Sequence, residues 1–283
     1  MAGLSELGLD DVVGIIPAPQ PEDDKYSRGV VGLAVGSDEY PGAAALAAEA
    51  AMRAGAGMVR LIAPVRASEL ALQFRPEIVT VPGRIDSLVV GSGMPEGSSA
   101  DLTARVALCE LGGSSPRIVD AAALGDAPHI GGPSILTPHA GELTRLAESL
   151  RLPGSSPSAW AEALAAHWGV VVILKGHRSE VFHPAGLAFR LPPGTAWLAT
   201  AGTGDVLAGL LGALCALRRL PQWSFEELAF TAAAGVLVHQ EAAARLSRLS
   251  GAGRPGPVLA LELARELSPV LASLVGHDVE GDS

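Results

Sequence analysis

The chain has 283 residues, of which 48% are hydrophobic and 18% are charged, and its formal net charge is −10 at pH 7. A mainly disordered chain is excluded, because such chains are poor in apolar and rich in charged residues. The excess of acidic groups argues against nucleic-acid binding, which needs a basic surface. The length allows one large domain or two small ones.

Cysteine usage and hydropathy indicate the cellular location of the protein. Cys109 and Cys215 lie far apart, and no Cys-x-x-Cys or Cys/His cluster surrounds them, so a disulfide framework and a structural zinc site are both disfavoured. The N-terminus lacks the basic and apolar regions of a signal peptide. The longest strongly apolar stretch, residues 206–217, is shorter than the roughly 18–20 residues that span a bilayer. We predict a cytoplasmic protein with no membrane or nucleic-acid partner.

Residues 1–28 are polar, acidic and proline-rich, which predicts a loosely held N-terminal arm. After this arm, short β-rich runs alternate with Ala- and Leu-rich helical stretches. In chain order, the predicted elements are strand 29–35, helix 43–54, strands 58–63 and 87–90, helix 102–111, strands 117–119 and 134–136, helices 141–150 and 157–168, strand 170–174, and helices 206–219, 225–246 and 258–274.

The alternation of these elements indicates the fold class. Near-continuous apolar strands separated by helices are typical of a parallel sheet that is covered on both faces. No linker divides the chain, so we predict one α/β domain over residues 29–283. In such folds, ligands collect beyond the carboxyl ends of the strands. The turns that follow the predicted strands are therefore the candidate site.

The sharpest of these turns is Thr-Ala-Gly-Thr-Gly-Asp at 200–205, followed by an apolar run with helical spacing. Gly202, Thr203 and Gly204 are small, so the backbone can approach an anion closely. The free N–H groups and the dipole at a helix start favour negative charge there. Asp205 has two open interpretations. It either caps the helix or acts as a functional carboxylate that takes the proton of a substrate hydroxyl.

Lys175 and Gly176 follow the apolar strand 170–174. The chain has two lysines, Lys25 and Lys175, which leaves 18 arginines among its 20 basic residues. A lysine in this place indicates a site that needs a compact ammonium group. A lysine that only reaches water from the strand end is the alternative. Gly176 would allow a phosphate-bearing ligand to approach the main chain.

Other predicted strands end in similar turns. His139 lies in Leu-Thr-Pro-His-Ala-Gly-Glu at 136–142 and either binds a ligand or is a solvated loop histidine. Asp120 closes another strand, where a helix cap is its default role. Glycines mark the turns at 36–43 and 91–93. Five glycine-bearing strand-to-helix turns on one sheet together predict a crevice, shaped by backbone, for a large phosphorylated ligand.

In this order the motifs resemble those of the ADP/ATP-dependent NAD(P)H-hydrate dehydratases, a branch of the ribokinase-like superfamily. The resemblance runs from about residue 29 to residue 240 and implies a three-layer α/β/α ribokinase-like fold with a mostly parallel central sheet. The motifs are Tyr-x-Gly-Ala with its Ala-Ala-x-Arg-Ala-Gly-Ala-Gly helix end (40–57), Gly-x-Gly (91–93), Val-Asp-Ala (119–121), Leu-Thr-Pro-His-x-Gly-Glu (136–142), Leu-Lys-Gly (174–176) and Ala-Thr-x-Gly-Thr-Gly-Asp-Val-Leu-Ala-Gly (199–209).

The resemblance also implies a function. ADP or ATP would drive dehydration of the S-form of hydrated NADH or NADPH back to NAD(P)H, a metabolite repair, with Mg²⁺ across the nucleotide phosphates and no metal-binding side chain assigned. Asp205 would be catalytic, and the protein is expected to form a homo-oligomer. The implied substrate contacts are Ala43, Gly93, His139 and Asp205; the implied nucleotide contacts are Lys175, Gly176, His177, Arg178, Ser179, Gly202, Thr203 and Gly204.

The sequence departs from the family pattern at three places. Ala201 stands where the family usually has Gly, Gly-Ser-Gly replaces Gly-Pro-Gly at 91–93, and Ser179 stands where Thr is commoner. At this length we expect a stand-alone dehydratase without a fused hydrate-epimerase domain. A ribokinase-like kinase of a hydroxymethylpyrimidine or thiazole alcohol is one alternative. The other is a nucleotide-binding protein without turnover, for which a Cβ at Ala201 beside the anion pocket is the favouring feature.

Overall fold

The computed structural model describes residues 4–249 and 255–275. Residues 1–3 of the predicted arm, and residues 250–254 and 276–283 of the predicted domain, lie outside the described residues. The strands are β1 (Ser5–Glu6), β2 (Val30–Ala34), β3 (Met58–Leu61), β4 (Arg84–Ile85), β5 (Ser87–Val90), β6 (Glu110–Leu111), β7 (Arg117–Val119), β8 (Ser134–Leu136), β9 (Val171–Leu174), β10 (Glu180–Phe182) and β11 (Ala188–Arg190).

Helices of two kinds connect these strands. The α-helices are α1 (Pro41–Arg53), α2 (Val65–Phe74), α3 (Ser99–Ala107), α4 (Ala127–Ile130), α5 (Ala140–Leu150), α6 (Pro157–Trp168), α7 (Thr203–Arg218), α8 (Phe225–Leu249) and α9 (Ala260–Val275). Within the residues that the structure describes, three 3₁₀ segments cover Leu9–Ile15, Ala121–Asp126 and Ala196–Leu198. None of the helices in the described ranges is long and apolar enough to cross a membrane.

The main sheet has nine strands in the order β1-β11-β10-β9-β8-β7-β5-β2-β3, and β4 pairs with β6 apart from it. From β3 across to β9, neighbouring strands pair in parallel. The strand β10 is antiparallel to both of its neighbours, and β1 is parallel to β11. The prediction of a mostly parallel central sheet is therefore confirmed.

Residues of the sheet alternate between two apolar layers. On β2, Val31 and Leu33 pack in a cluster with α1, α7, α8 and α9, whereas Val30 and Ala34 pack in a second cluster with α3, α5 and α6. This alternation follows from the two-residue period of a strand. Because both faces are covered, the inner parallel strands are buried along their whole length and read as continuous apolar runs.

Small residues pack α7 closely against α1 and against the sheet, where a Cβ on Gly212 would collide with Val89 and crowd Val31 of β2. Gly209 on α7 lies so close to α1 that a Cβ there would collide with the carbonyl group of Ala47. The neighbouring residues Ala44, Ala48 and Ala51 of α1 are fully buried. Close packing of two helices leaves α7 little freedom to shift, so residues in its first turn hold a defined position relative to β2.

The N-terminal segment differs from the loosely held arm expected over residues 1–28. The short strand β1 pairs with β11, and the Leu7 N–H donates to the Arg190 carbonyl at 3.1 Å. The segment Leu9–Ile15 packs against α8 and buries Val12 completely. A two-residue strand carries no periodicity from which a sequence pattern could be recognised. The predicted helix 102–111 also differs, because α3 ends at Ala107 and residues 110–111 form β6.

Candidate active site

The candidate residues meet at one edge of the sheet. Gly93, His139 and Lys175 follow the carboxyl ends of β5, β8 and β9 respectively. The first turn of α7 reaches the same edge, since a Cβ built on Gly204 would lie 3.8 Å from Lys175 Nζ. The topology thus brings together turns that are far apart in sequence, as expected for an open α/β sheet.

Lys175 makes a specific ion pair here instead of extending into water. Its Nζ lies 2.8 Å from Asp120 Oδ1 and 4.0 Å from Glu142 Oε2, and 22% of its side chain is exposed. Burial opposes the ammonium charge, but Asp120 and Glu142 outweigh burial and hold the pKa of Lys175 above its usual value. Lys175 is therefore charged at neutral pH and fixed in place.

Asp120 is the buried counter-ion, a role that the sequence analysis missed. Its Oδ1 accepts from Lys175 Nζ and, at 2.5 Å, from Thr137 Oγ1, while its Oδ2 accepts from Ser92 Oγ at 2.8 Å. Burial alone would raise the pKa of Asp120, but Lys175 and the two hydroxyl groups hold it below the usual range. The helix-cap role expected for Asp120 is wrong, because its side chain makes no cap hydrogen bond.

Asp205 is the third residue of α7 and not its N-cap. Gly202 occupies the cap position with φ +90°, and no side chain caps this helix. Burial and the negative charge of Asp120 raise the pKa of Asp205 to about 7, and Lys175 only partly offsets them. The Ser92 hydroxyl also lowers this pKa, but it can contribute little because it donates to Asp120. The cap interpretation is therefore wrong, and a pKa near neutrality would suit a carboxylate that transfers protons.

The turn before α7 is held by hydrogen bonds of the Thr203 side chain and backbone. Thr203 Oγ1 donates at 2.9 Å to the carbonyls of Leu198 and Thr200. The Thr203 carbonyl lies 2.9 Å from Nε2 of His239, on α8. A carbonyl can only accept, so His239 carries its proton on Nε2, and burial lowers its pKa to about 4. His239 thus anchors the turn as a neutral donor, and no local motif indicates this role.

Ala201 does not strain this turn. The positive φ in the turn falls on Gly202, and Ala201 has no positive φ. The Ala201 side chain is exposed. The backbone at position 201 therefore does not require glycine, and the added methyl group does not deform the turn.

Ala43 and Gly93 form one contact. Gly93 has φ +65°, and a Cβ on it would collide with the Cβ of Ala43 in the first turn of α1. Ala43 is buried, with 6% of its surface exposed. The two predicted substrate contacts therefore lie side by side and bring the backbone after β5 close to that before α1.

His139 is the N-cap of α5. Its side-chain Nδ1 accepts from the backbone N–H groups of Gly141 at 3.0 Å and Glu142 at 3.3 Å. The backbone N–H of His139 donates in turn to Glu142 Oε2 at 2.8 Å. This reciprocal arrangement is a capping box. Its backbone also forms a parallel bridge with Lys175, so His139 lies beside the ion pair. Nδ1 serves the cap, and 56% of the side chain remains exposed.

Replacing His139 tests whether its role goes beyond capping. Loss of an N-cap costs about 1 kcal/mol, and Asn is among the best N-caps. We expect His139→Ala to lower the free energy of unfolding by about 1 kcal/mol and His139→Asn to lower it by much less. A ligand-binding imidazole predicts that both variants raise KM for substrate. Unfolding in urea and steady-state kinetics measure the two effects, and unchanged KM in the folded His139→Asn variant would assign the residue to the cap alone.

The prediction of five strand-to-helix turns is wrong for two of them. Residues 175–179 form a hairpin loop between two strands. They join β9 to the antiparallel strand β10, and the turn before α7 follows the 3₁₀ segment Ala196–Leu198. Gly176, His177 and Arg178 are exposed, whereas Ser179 is buried and its hydroxyl donates back to the Gly176 carbonyl at 3.2 Å. The Gly194 N–H donates to the His177 carbonyl at 2.8 Å, which ties this loop to the segment leading to α7.

A mostly parallel sheet with helices on both faces and a glycine-rich helix start beside its edge defines an open-sheet α/β protein. Residues 31–266 match the family described as NAD(P)H-hydrate dehydratase. The chain belongs to this family.

Relatives with solved or curated descriptions agree with the assignment. A bifunctional NAD(P)H-hydrate repair enzyme Nnr of Mycobacterium tuberculosis is 39% identical over 230 residues, which are 76% of this chain and 47% of that protein. The chain spans about half the length of such relatives. An ADP-dependent (S)-NAD(P)H-hydrate dehydratase of Xanthomonas campestris is 35% identical over 264 residues, 83% of this chain and 86% of that protein.

A solved structure covers nearly the whole chain. It is an ADP/ATP-dependent NAD(P)H-hydrate dehydratase from Bacillus subtilis, co-crystallised with ATP and Mg²⁺. Its TM-score is 0.77 at 26% sequence identity, covering 96% of this chain and 99% of that one. The predicted ribokinase-like fold and the family resemblance are both confirmed.

Proposed function

We propose that this protein uses ADP or ATP to dehydrate the S-form of hydrated NADH or NADPH and so restores NAD(P)H. The observation that supports this most is the placement of Asp205. Its carboxyl group, with a pKa of about 7, lies in the first turn of α7, and the Lys175–Asp120 ion pair lies beside that turn.

A site that phosphorylates hydroxyl groups suits this reaction. Hydroxide is a poor leaving group, whereas a phosphorylated hydroxyl departs readily. The substrate oxygen attacks the terminal phosphoryl group of the nucleotide, and the phosphoanhydride bond breaks. The ring C–O bond then breaks, phosphate leaves with the electron pair, and a neighbouring ring carbon releases a proton to water as the double bond forms. The net result is that the hydroxyl oxygen of the hydrate leaves as part of inorganic phosphate, and the nucleotide loses one phosphoryl group.

The residues of the site divide these tasks. Asp205 accepts the proton of the substrate hydroxyl, for which its pKa near neutrality is suited. The N–H groups at Gly202, Thr203 and Gly204 and the dipole of α7 stabilise charge on the transferring phosphoryl group. Lys175, held by Asp120, supplies a fixed positive charge beside Gly204 of this turn. The substrate ring then lies towards Ala43, Gly93 and His139.

Mg²⁺ fits this site only as a partner of the nucleotide phosphates. In residues 4–249 and 255–275, no group of three or more His, Cys, Asp or Glu side chains could hold a metal ion. Both carboxylate oxygens of Asp120 already accept hydrogen bonds. Mg²⁺ is commonly bound by phosphates with one or two carboxylates, and Glu142, 4.0 Å from Lys175 Nζ, is a nearby carboxylate with no other role in the proposed reaction. When bound, the ion neutralises charge on the transferring phosphoryl group.

The direct test supplies purified protein with hydrated NADH or NADPH and either ADP or ATP. We expect the absorbance of the reduced nicotinamide to return only when a nucleotide is present. Nucleotide binding without turnover would instead support the binding protein without activity. Phosphorylation of a hydroxymethylpyrimidine or thiazole alcohol, without turnover of the hydrates, would support the kinase.

The pH dependence of the reaction follows from Asp205. The carboxyl must be ionised to accept a proton, and its pKa is raised to about 7. We therefore expect kcat/KM to rise with pH up to about 7 and to fall about tenfold per pH unit below it. Rates measured from about pH 5 to about pH 9 check this. A profile that is flat through neutrality would remove Asp205 from the role of base.

We further propose that the protein works in the cytoplasm as a homo-oligomer, without nucleic-acid or membrane partners. The net charge of −10 supports the absence of a nucleic-acid partner. Light scattering of the purified protein measures the oligomeric state.

A further inference from the structure

A cavity of about 230 Å³ opens between α5 and the 3₁₀ segment Ala121–Asp126. Its lining includes Glu96, Ala122, Gly125, Glu142 and Arg145. Sites for drug-sized ligands usually occupy about 300–1,000 Å³, so this cavity accommodates part of a dinucleotide and not the whole.

The cavity adjoins the candidate active site. Glu142, which lines it, also lies 4.0 Å from Lys175 Nζ and accepts the N–H of His139. On its other side, Ala121 lines the cavity directly after Asp120 and has φ +47°. Such backbone strain in a residue other than glycine is typical of functional sites. A ligand can therefore extend from the Lys175–Asp120 ion pair into this cavity.

The sheet order indicates which ligand extends there. The proposed nucleotide loop, residues 175–179, follows β9, whereas the cavity lies after β7 and β8, with Glu96 after β5. The substrate contacts Gly93 and His139 follow β5 and β8. Two phosphorylated ligands cannot occupy the same loop, and the cavity lies on the side of the substrate contacts, where it is open to the remainder of the substrate.

Arg145 supplies the charge that such a ligand needs. It is the basic residue among those lining the cavity in the described part of the chain. Its nearest carboxylate contact, Glu96 Oε1 at 3.8 Å, is a loose pair with both side chains exposed. An exposed pair contributes little stability, so Arg145 can exchange it for a phosphate, which a guanidinium binds with two hydrogen bonds.

We propose that this cavity binds the adenosine half of the hydrated dinucleotide and that Arg145 binds one of its phosphates. The proposal rests on the function proposed above. It adds a specificity-determining region that adjoins the Lys175–Asp120 ion pair through Glu142 and whose lining includes no residue of the nucleotide loop.

A larger side chain at Gly125 would fill part of the cavity. A Cβ on Gly125 meets nothing within 4 Å, and its φ is not positive. We expect Gly125→Leu to fold normally and to raise KM for both hydrates at least about tenfold, with KM for ADP unchanged. Gly113→Leu is the matched control, because Gly113 is equally free of contacts and lies outside the cavity lining.

Arg145→Ala tests the phosphate contact. We expect KM to rise about 10-fold, and Arg145→Lys, which keeps the charge, to recover part of it. An effect on NADPH hydrate alone would place the 2′-phosphate at Arg145, and an equal effect on NADH hydrate would place the diphosphate there. Both results support the proposal. Unchanged KM for both hydrates in Arg145→Ala and Gly125→Leu would overturn it.

Binding measured without turnover separates this proposal from the proposed function. Calorimetric titration gives the Kd of each hydrate for the wild-type protein and for Gly125→Leu. A wild-type protein that turns over the hydrates, with the same Kd in both proteins, would refute the cavity and leave the function intact. A wild-type protein that binds the hydrates without turnover would refute the function, and a raised Kd in Gly125→Leu would still locate the ligand in the cavity.

Discussion

Asp205→Asn is expected to lower kcat by about 10³-fold while leaving the Kd for ADP or ATP nearly unchanged. A positioned proton acceptor contributes roughly 10²–10⁴-fold to such reactions, and asparagine cannot take the proton of the substrate hydroxyl. The backbone N–H groups at Gly202, Thr203 and Gly204 remain, so the proposed phosphate site is kept. Steady-state kinetics and calorimetric nucleotide titration measure the two quantities. Near-normal kcat would show that Asp205 has no chemical role.

The same variant is expected to be more stable than the wild-type protein at alkaline pH. The pKa of Asp205 is raised from 3.8 to about 7 in the folded protein, so the folded state favours the protonated form. Ionisation therefore costs stability progressively as the pH rises from about 4 to about 7. Such a shift corresponds to about 2–4 kcal/mol, allowing for partial solvent access.

Urea unfolding at two pH values tests this expectation. At about pH 8 the free energy of unfolding of Asp205→Asn should exceed that of the wild-type protein, and at about pH 4 the difference should nearly vanish. A gain of stability combined with a loss of activity is typical of a carboxylate retained for function. Equal stability at both pH values would mean that Asp205 ionises without cost and that its environment is not the one described.

The second large effect is expected at the Lys175–Asp120 pair. Lys175→Ala leaves the Asp120 carboxylate buried without its cation, and breaking a buried pair in this way costs about 3–5 kcal/mol. It also removes the fixed positive charge beside Gly204, so the Kd for nucleotide should rise about 10–100-fold. Stability and affinity therefore fall together in this variant.

A double variant separates the two effects. Lys175→Met with Asp120→Asn removes both charges, so no unpaired charge remains, and most of the lost stability should return. Nucleotide affinity should stay low, because the ammonium group is still missing. Lys25→Met, at the other lysine of the chain, is the matched control and should change neither quantity. An unchanged nucleotide Kd in folded Lys175 variants would contradict the assignment of Lys175 to the nucleotide.

Local patterns were sufficient for most of the fold. The apolar runs that became β2, β5, β8 and β9 were recognisable because a strand buried on both faces carries no polar residue to interrupt it. The start of α7 was recognisable from its glycines and from helical spacing after residue 205. The motif order across residues 29–240 indicated the family. These features depend on neighbours in the sequence, so the sequence alone established them.

The electrostatics of the site depended on residues far apart in the chain. A sequence pattern considers only the residues near Asp120 in the chain, and these predict a helix cap. The actual partner of Asp120, Lys175, is 55 residues away. The raised pKa of Asp205 requires burial and the Asp120 charge together, and His239 supports the turn from 36 residues beyond Thr203. Sheet order and helix packing set these distances. Charge interactions depend on separation in space and on exclusion of water, so they became evident only once the strands lay side by side.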